Sequence, residues 1–171
     1  MARTDLFDLG GLRLSAGDGR RLELEVAQDG IELAEERYAI GPAQVPVTLE
    51  VSRLVGGGYA LRLRFDATLS GPCMRCLEPA SLAIAVDARE VDVPGGGEEL
   101  DSPYVDGDVV DVRRWAHDAV ALAAPAQVLC TPGCLGLCPV CAVPLAVAEP
   151  DHHHEREPDP RWEKLRELRF D

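Results

Sequence analysis

Aromatic residues make up only 5% of this 171-residue chain, so its core has to be assembled mainly from Leu, Val and Ala. Basic residues are also short: 17 stand against 30 acidic ones, for a formal net charge of -13. A molecule of that charge repels a phosphate backbone as a whole, so any nucleic-acid contact is expected to be local or indirect. No apolar run approaches the length of a membrane span, and the start, Met1 to Leu6, lacks a basic segment followed by an apolar stretch. A cytoplasmic protein without a membrane partner is expected.

Several catalytic signatures are missing too. There is no G-x4-G-K loop and no G-x-S-x-G elbow, which leaves no phosphate cradle and no strained nucleophile. Pro72-Cys73-Met74-Arg75-Cys76 matches half of the zinc deaminase signature. That chemistry also needs an upstream His or Cys two residues before a catalytic Glu, and no His or Cys precedes Cys73. A thioredoxin-like pair would sit at a helix N-terminus, whereas the pattern after Cys76 reads as a strand. No enzyme and no small-molecule substrate are expected.

What is present is alternation. Leu22, Leu24 and Val26 alternate with charged residues, and Val45, Val47, Leu49 and Val51 lead to the turn Gly56-Gly57-Gly58. Tyr59, Leu61, Leu63, Phe65, Ala67 and Leu69 then repeat the period of two, the mark of an antiparallel hairpin with one wet face. Beyond Cys76 the period returns at Leu82, Ile84 and Val86 but changes parity at Val91 and Val93, which predicts a bulge near Ala88. The stretch between Gly30 and Pro46 is ambiguous.

Pro94 to Asp108 holds a glycine triplet and five acids without a basic residue, and reads as a solvated, mobile loop. From Asp111 the period becomes helical, with Val112, Trp115, Ala116, Ala119, Leu122 and Ala123 on one face, Asp111 as cap and Pro125 as stop. A terminal helix is expected from Asp159 and Pro160 through Trp162, Leu165 and Leu168. The architecture implied is α+β, with an antiparallel sheet and helix over residues 1–126 and a cysteine-rich, zinc-binding tail over residues 127–171, in one structural domain overall.

The six cysteines stand as Cys73-x2-Cys76, Cys130-x3-Cys134 and Cys138-x2-Cys141. Each close pair can present two thiolates to one ion, and two pairs complete a tetrahedral zinc site. In a reducing compartment such pairs are metal ligands more often than disulfides. Two allocations compete, giving one or two Zn2+. A local site would use Cys130, Cys134, Cys138 and Cys141. Otherwise Cys73 and Cys76 join Cys130 and Cys134, while Cys138 and Cys141 take two ligands from His152, His153 and His154, with His152 and His154 as the weaker candidates. Loop-closure cost favours the local site. A different class of reading makes Cys73 and Cys76 a thiol redox switch in a regulatory protein. His117, beside Asp118, reads as a surface residue.

The order of motifs carries a resemblance. Cys73-Met74-Arg75-Cys76-Leu77-Glu78-Pro79 comes first, then Leu122-Ala123-Ala124-Pro125, then Leu129-Cys130-Thr131-Pro132-Gly133-Cys134-Leu135-Gly136-Leu137-Cys138-Pro139-Val140-Cys141, and finally Asp159-Pro160-Arg161-Trp162. This resembles the bacterial YceD-like family, the large ribosomal RNA subunit accumulation proteins, over about Val45 to Leu168. The resemblance implies a non-enzymatic, metal-binding ribosome-biogenesis factor that supports ribosomal RNA accumulation. Its expected partner is a basic ribosomal protein, or precursor ribosomal RNA reached through Arg75, Arg113, Arg114 and the 161–169 helix. Two departures from the family's pattern stand out. Ala142 follows the last cysteine where members often have Gly, and His152-His153-His154 stands where they often carry a Cys-x-Cys.

Overall fold

In the computed structural model, which describes residues 5–154, alternation in the sequence becomes alternation across a sheet. Strand β5 (Gln44–Arg53) and strand β6 (Tyr59–Pro72) form the expected hairpin, with Leu49 opposite Leu63 and Val51 opposite Leu61. Val45, Val47, Leu49, Leu63 and Leu69 are wholly buried, while the intervening Glu50, Arg62 and Arg64 form ion pairs on the outer face. The turn needs glycine at one point above all. Gly58 lies at φ +82°, where a Cβ would come within 2.0 Å of the Asp92 carbonyl oxygen, so no side chain fits there.

Strand β6 is the centre of the sheet. Along one edge it pairs with β5 over its first half and with β4 (Glu36–Gly41) near its end. Along the other edge it pairs over its whole length with β7 (Pro79–Asp92). Strand β2 (Gly19–Ala27) adds outside β5, and β3 (Ile31–Leu33) outside β4. The ambiguous stretch after Gly30 is thus the small β3–β4 hairpin, closed by Ala34 and Glu35, both at positive φ. Asn-Gly or Asp-Gly would have announced such a turn, but Ala34-Glu35 stands at it. Three short strands, β1 (Leu6–Asp8), β8 (Val105–Asp106) and β9 (Val109–Asp111), make a second sheet in the order β1-β9-β8.

The bulge expected near Ala88 does not form. The β6–β7 register runs without interruption from Tyr59 opposite Asp92 to Pro72 opposite Pro79. Val91 instead lies on the outer face, 40% exposed, while Asp92 takes the buried position. Asp92 is tolerated there because its carboxylate accepts a bond from the Ser102 N–H at 3.3 Å, and the Ser102 hydroxyl donates to Glu90 at 3.0 Å. These bonds also correct the expectation for residues 94–108. The segment folds back on β7, with Val93 N–H bonded to the Leu100 carbonyl at 2.8 Å, and a helical turn spans Glu98–Leu100. Its acidic composition hid the polar partners waiting on the sheet.

Helix α1 (Val112–Ala123) starts as the sequence implies, with the Asp111 carboxylate accepting the Arg114 N–H at 2.9 Å. Val112, Trp115, Ala116, Ala119 and Val120 form its buried side. Leu122, assigned to that face from periodicity, is 86% exposed. Trp115 stacks on Tyr104, with ring centroids 6.1 Å apart, and the helix packs against β7, β2 and β1. The terminal helix expected after Asp159 lies outside the described residues. No helix among the described residues is long and apolar enough to cross a membrane.

The continuous register has a direct consequence. Leu63→Ala, at a fully buried site, is expected to cost about 2–5 kcal/mol in urea unfolding. Val91→Ala is expected to cost less than about 0.5 kcal/mol, the value of an exposed position. A core-sized loss at Val91 would restore the bulge.

Candidate metal centre

The β6–β7 hairpin ends in a tight loop bearing the first cysteine pair. The Cys73 N–H bonds to the Glu78 carbonyl at 2.8 Å, the Leu77 N–H returns to the Cys73 carbonyl at 3.0 Å, and Leu77 takes φ +64°. The loop at Cys138 repeats this construction. There the Cys138 N–H bonds to the Val143 carbonyl at 2.9 Å, the Ala142 N–H returns to the Cys138 carbonyl at 2.8 Å, and Ala142 takes φ +58°. The residue after each Cys-x2-Cys pair therefore has to be left-handed, a conformation that glycine adopts without strain and Leu or Ala does not.

After α1 the chain returns to the tip of the hairpin. The Met74 N–H bonds to the Val128 carbonyl at 2.9 Å and the Val128 N–H to the Met74 sulfur at 3.4 Å. Arg75 braces the arrival, donating to the Cys134 carbonyl at 3.0 Å and to the Gln127 amide oxygen at 3.1 Å. The Leu137 N–H bonds to the Arg75 carbonyl at 3.1 Å. Gly136 keeps this contact close, since a Cβ there would stand 3.1 Å from the same carbonyl oxygen.

These bonds decide which donors meet. Cys73, Cys76, Cys130 and Cys134 form one group, and Cys138, Cys141, His152 and His154 form another; within each group the donor atoms all lie within 4.8 Å of one another. The local grouping of Cys130, Cys134, Cys138 and Cys141, favoured from loop closure, is not what the structure brings together. The cost of closing a long loop rises slowly with its length. Here the intervening chain is already folded as β7 and α1, so the two halves of the site meet without a free loop to close.

Both groups could hold a metal ion. In the first, the sulfurs of Cys73 and Cys134 are 3.7 Å apart and those of Cys76 and Cys130 are 3.5 Å apart. A tetrahedral ion with four sulfurs at bonding distance spaces them by about 3.8 Å. In the second, the Cys141 sulfur lies 3.6 Å from His152 Nε2 and 3.3 Å from His154 Nε2. A mixed sulfur–nitrogen tetrahedron requires about 3.5 Å. His153 turns away, its Nδ1 2.6 Å from the Asp151 carbonyl oxygen. All six cysteines are free thiols.

The loops also prepare the thiols for a cation. Burial pushes the Cys73 thiol up, but backbone hydrogen bonds from Arg75, Cys130 and Cys76 outweigh it and bring its pKa down to about 6. At Cys138 the backbone of Cys141, the His152 side chain and the backbone of Val140 likewise lower it to about 6. Cys76 moves the other way, to about 12. A backbone bond at Glu78 lowers it, but burial and the neighbouring sulfurs of Cys130, Cys73 and Cys134 prevail. Cys73 and Cys138 thus favour the thiolate near neutral pH, whereas Cys76 and Cys134 are held toward the thiol.

Surroundings separate the two groups. Cys73 is fully buried and Cys134 is 8% exposed, inside the main hydrophobic cluster with Val128. In the second group Cys138 is buried, but Cys141 and His154 are exposed. The sequence named all eight residues of the two groups as candidates but missed the bracing roles of Arg75 and Gln127, which no spacing rule contains. His117 is half-exposed beside Asp118, as expected of a surface residue.

An α+β protein whose longest hairpin ends in a cysteine loop, met there by a second cysteine pair from its tail, is the class defined by this fold and site. The chain belongs to the YceD family, described as "Large ribosomal RNA subunit accumulation protein YceD", whose family model matches residues 61–169. It is also similar to uncharacterized proteins of Mycobacterium bovis and of two strains of Mycobacterium tuberculosis, each 40% identical over 104 residues. Those matches cover 57% of this chain and 49% of each relative, so the chain spans about half the length of the curated relatives it matches. No solved structure is significantly similar to it.

The two left-handed residues can be tested directly. Ala142→Gly and Leu77→Gly are each expected to stabilise the protein by about 0.5–1 kcal/mol, because relief of a strained φ exceeds the added entropy of the unfolded chain. Urea unfolding measures the gain. A loss at both positions would contradict the loop geometry.

Proposed function

We propose that this protein is a zinc-stabilised, non-enzymatic factor supporting accumulation of large-subunit ribosomal RNA, and that it acts by binding a basic ribosomal partner. The observation carrying this reading is the pair of four-donor groups within a member of the YceD family. Four protein donors close a zinc ion's tetrahedron and leave no position for a reacting water, which favours structural ions over catalytic ones. In the proposed ligand sets Cys73, Cys76, Cys130 and Cys134 hold one Zn2+, and Cys138, Cys141, His152 and His154 hold a second. The first would tie residues 127–154 to the sheet, and the second would close the end of that tail on itself.

The charge of the surface supports a protein partner over RNA. Of the arginines considered for RNA contact, Arg75 is committed to Cys134 and Gln127. Arg113 pairs with Asp29 and lies 3.9 Å from Asp5. Arg114 donates to the Pro103 carbonyl and sits over the Tyr104 ring. The arginines of residues 161–169 lie outside the described residues. With Arg75, Arg113 and Arg114 occupied and a net charge of -13, electrostatic steering favours a basic polypeptide. The redox alternative is less well supported at Cys73 and Cys76, because Cys73 is fully buried and a redox sensor needs an accessible thiolate.

Elemental analysis of the purified chain is expected to give two zinc ions. Cys73→Ser with Cys76→Ser should remove one and lower stability by at least about 3 kcal/mol, roughly 10 °C in Tm. His152→Ala with His154→Ala should remove the other and leave the sheet's unfolding transition in place. In cells carrying only the Cys73/Cys76 double variant, the ratio of large- to small-subunit ribosomal RNA should fall. Metal-free protein with a protease-resistant tail would refute the structural-zinc reading, and an unchanged ratio would refute the functional one.

A further inference from the structure

Strand β7 is fourteen residues long and pairs on one side only. Among the described residues, no backbone group bonds to the outer edge of residues 80–92. Folded proteins protect such edges with charged side chains, proline, a bulge or a covering helix or loop. Residues 80–86 read Ala-Ser-Leu-Ala-Ile-Ala-Val, without charge or proline, and the register shows no bulge. Charge begins only at Asp87, Arg89 and Glu90, along the groove that borders the strand.

Next to this edge runs a groove of about 480 Å³. One wall is residues 85–90 of β7. Inward-facing Val86, Ala88 and Glu90 line it together with outward-facing Ala85, Asp87 and Arg89. Both faces of a strand can border the same groove only where the groove follows the strand's edge. The opposite wall is Tyr104 with Trp115, Ala119, Leu122 and Ala123 of α1, where Leu122 is 86% exposed. The slot therefore offers unpaired peptide groups on one side and an apolar surface on the other.

One end of the rim is acidic. Asp87 is neutralised by a two-bond pair with Arg62, and Glu90, Arg89, Asp118 and Arg114 nearly balance, but Glu98, Glu99 and Asp101 in the loop after β7 have no ion pair among the described residues and leave this end of the molecule acidic. We propose that the slot between β7 and α1 binds an extended, basic segment of a protein partner by adding it as a strand to the edge of β7, with every second residue apolar and facing Leu122. Main-chain bonds supply affinity in such strand addition, and alternate side chains supply specificity. Six residues of edge span about 20 Å, which admits a segment of similar length. The proposal rests on the reading of the protein as a binding factor, but it uses none of the metal donors.

The probe is a fluorescent eight-residue peptide of alternating lysine and valine, titrated with the zinc-loaded full chain and followed by anisotropy. Binding is expected, with at least about tenfold weakening by Leu122→Asp, a substitution at a solvent-exposed position that leaves the core untouched. Two further peptides carry N-methyl groups on every valine amide or on every lysine amide. One should bind at least about tenfold more weakly and the other nearly as well, since a strand presents alternate amides to its neighbour. A glutamate–valine peptide should not bind.

Absence of binding at 1 mM peptide, or equal weakening by both methylation patterns, would overturn the proposal. So would concentration-dependent dimerisation abolished by Leu122→Asp, which would make a second copy the occupant. The peptide measurement is independent of ribosomal RNA levels, so the slot and the cellular role can fail separately.

Discussion

The structure depends on the convergence of the hairpin tip with the chain that follows α1. Without the Met74–Val128 and Arg75–Cys134 bonds, residues 127–154 would have almost nothing to fold on, since Val128, Cys134 and Cys138 are their buried apolar side chains. A segment with that little apolar burial cannot offset the entropy of ordering its backbone. Directional bonds to the Cys73–Glu78 loop contribute part of its order, and those bonds place Cys130 and Cys134 beside Cys73 and Cys76.

Much of the sheet was legible because burial and period coincide. In β5 and β6, from Val45 to Val51 and from Tyr59 to Leu69, the apolar residues at odd positions face the core, and the turn between the strands is marked by three glycines. The reading failed where one signal was used without its context. Val91 suggested a bulge because apolar residues are expected inside, but a buried Asp92 with a waiting serine outweighed that preference. The acidic loop looked solvated because its partners, Glu90 and Asp92, lie on another element. Leu122 fitted the helical period and still points into an open groove.

The candidate site shows the same division. Chelating pairs are written in local spacing, so all eight donors could be named from sequence. Which pairs meet depends on where β7 and α1 deliver the chain, and spacing holds no such information. A closer reading could have found the duplicated loop, since Leu77 and Ala142 occupy equivalent places after Cys-x2-Cys. Their shared left-handed conformation shows that the backbone bonds of the loop, rather than the residue's preference, decide the geometry there.

The two donor groups differ in what they can influence. The second is built from residues 138–154 alone, with Cys141 and His154 exposed, so its consequences stay local. The first sits at the head of β7, whose other half forms the wall of the groove beside α1. A strand held at its tip by the Met74–Val128 and Arg75–Cys134 bonds and along its length by fourteen residue pairs loses little freedom when a further strand is added. Association is tighter when that ordering is already in place. On this view a metal ion held by the first group would add to the stiffness of the hairpin whose edge the partner would extend, without touching the partner itself.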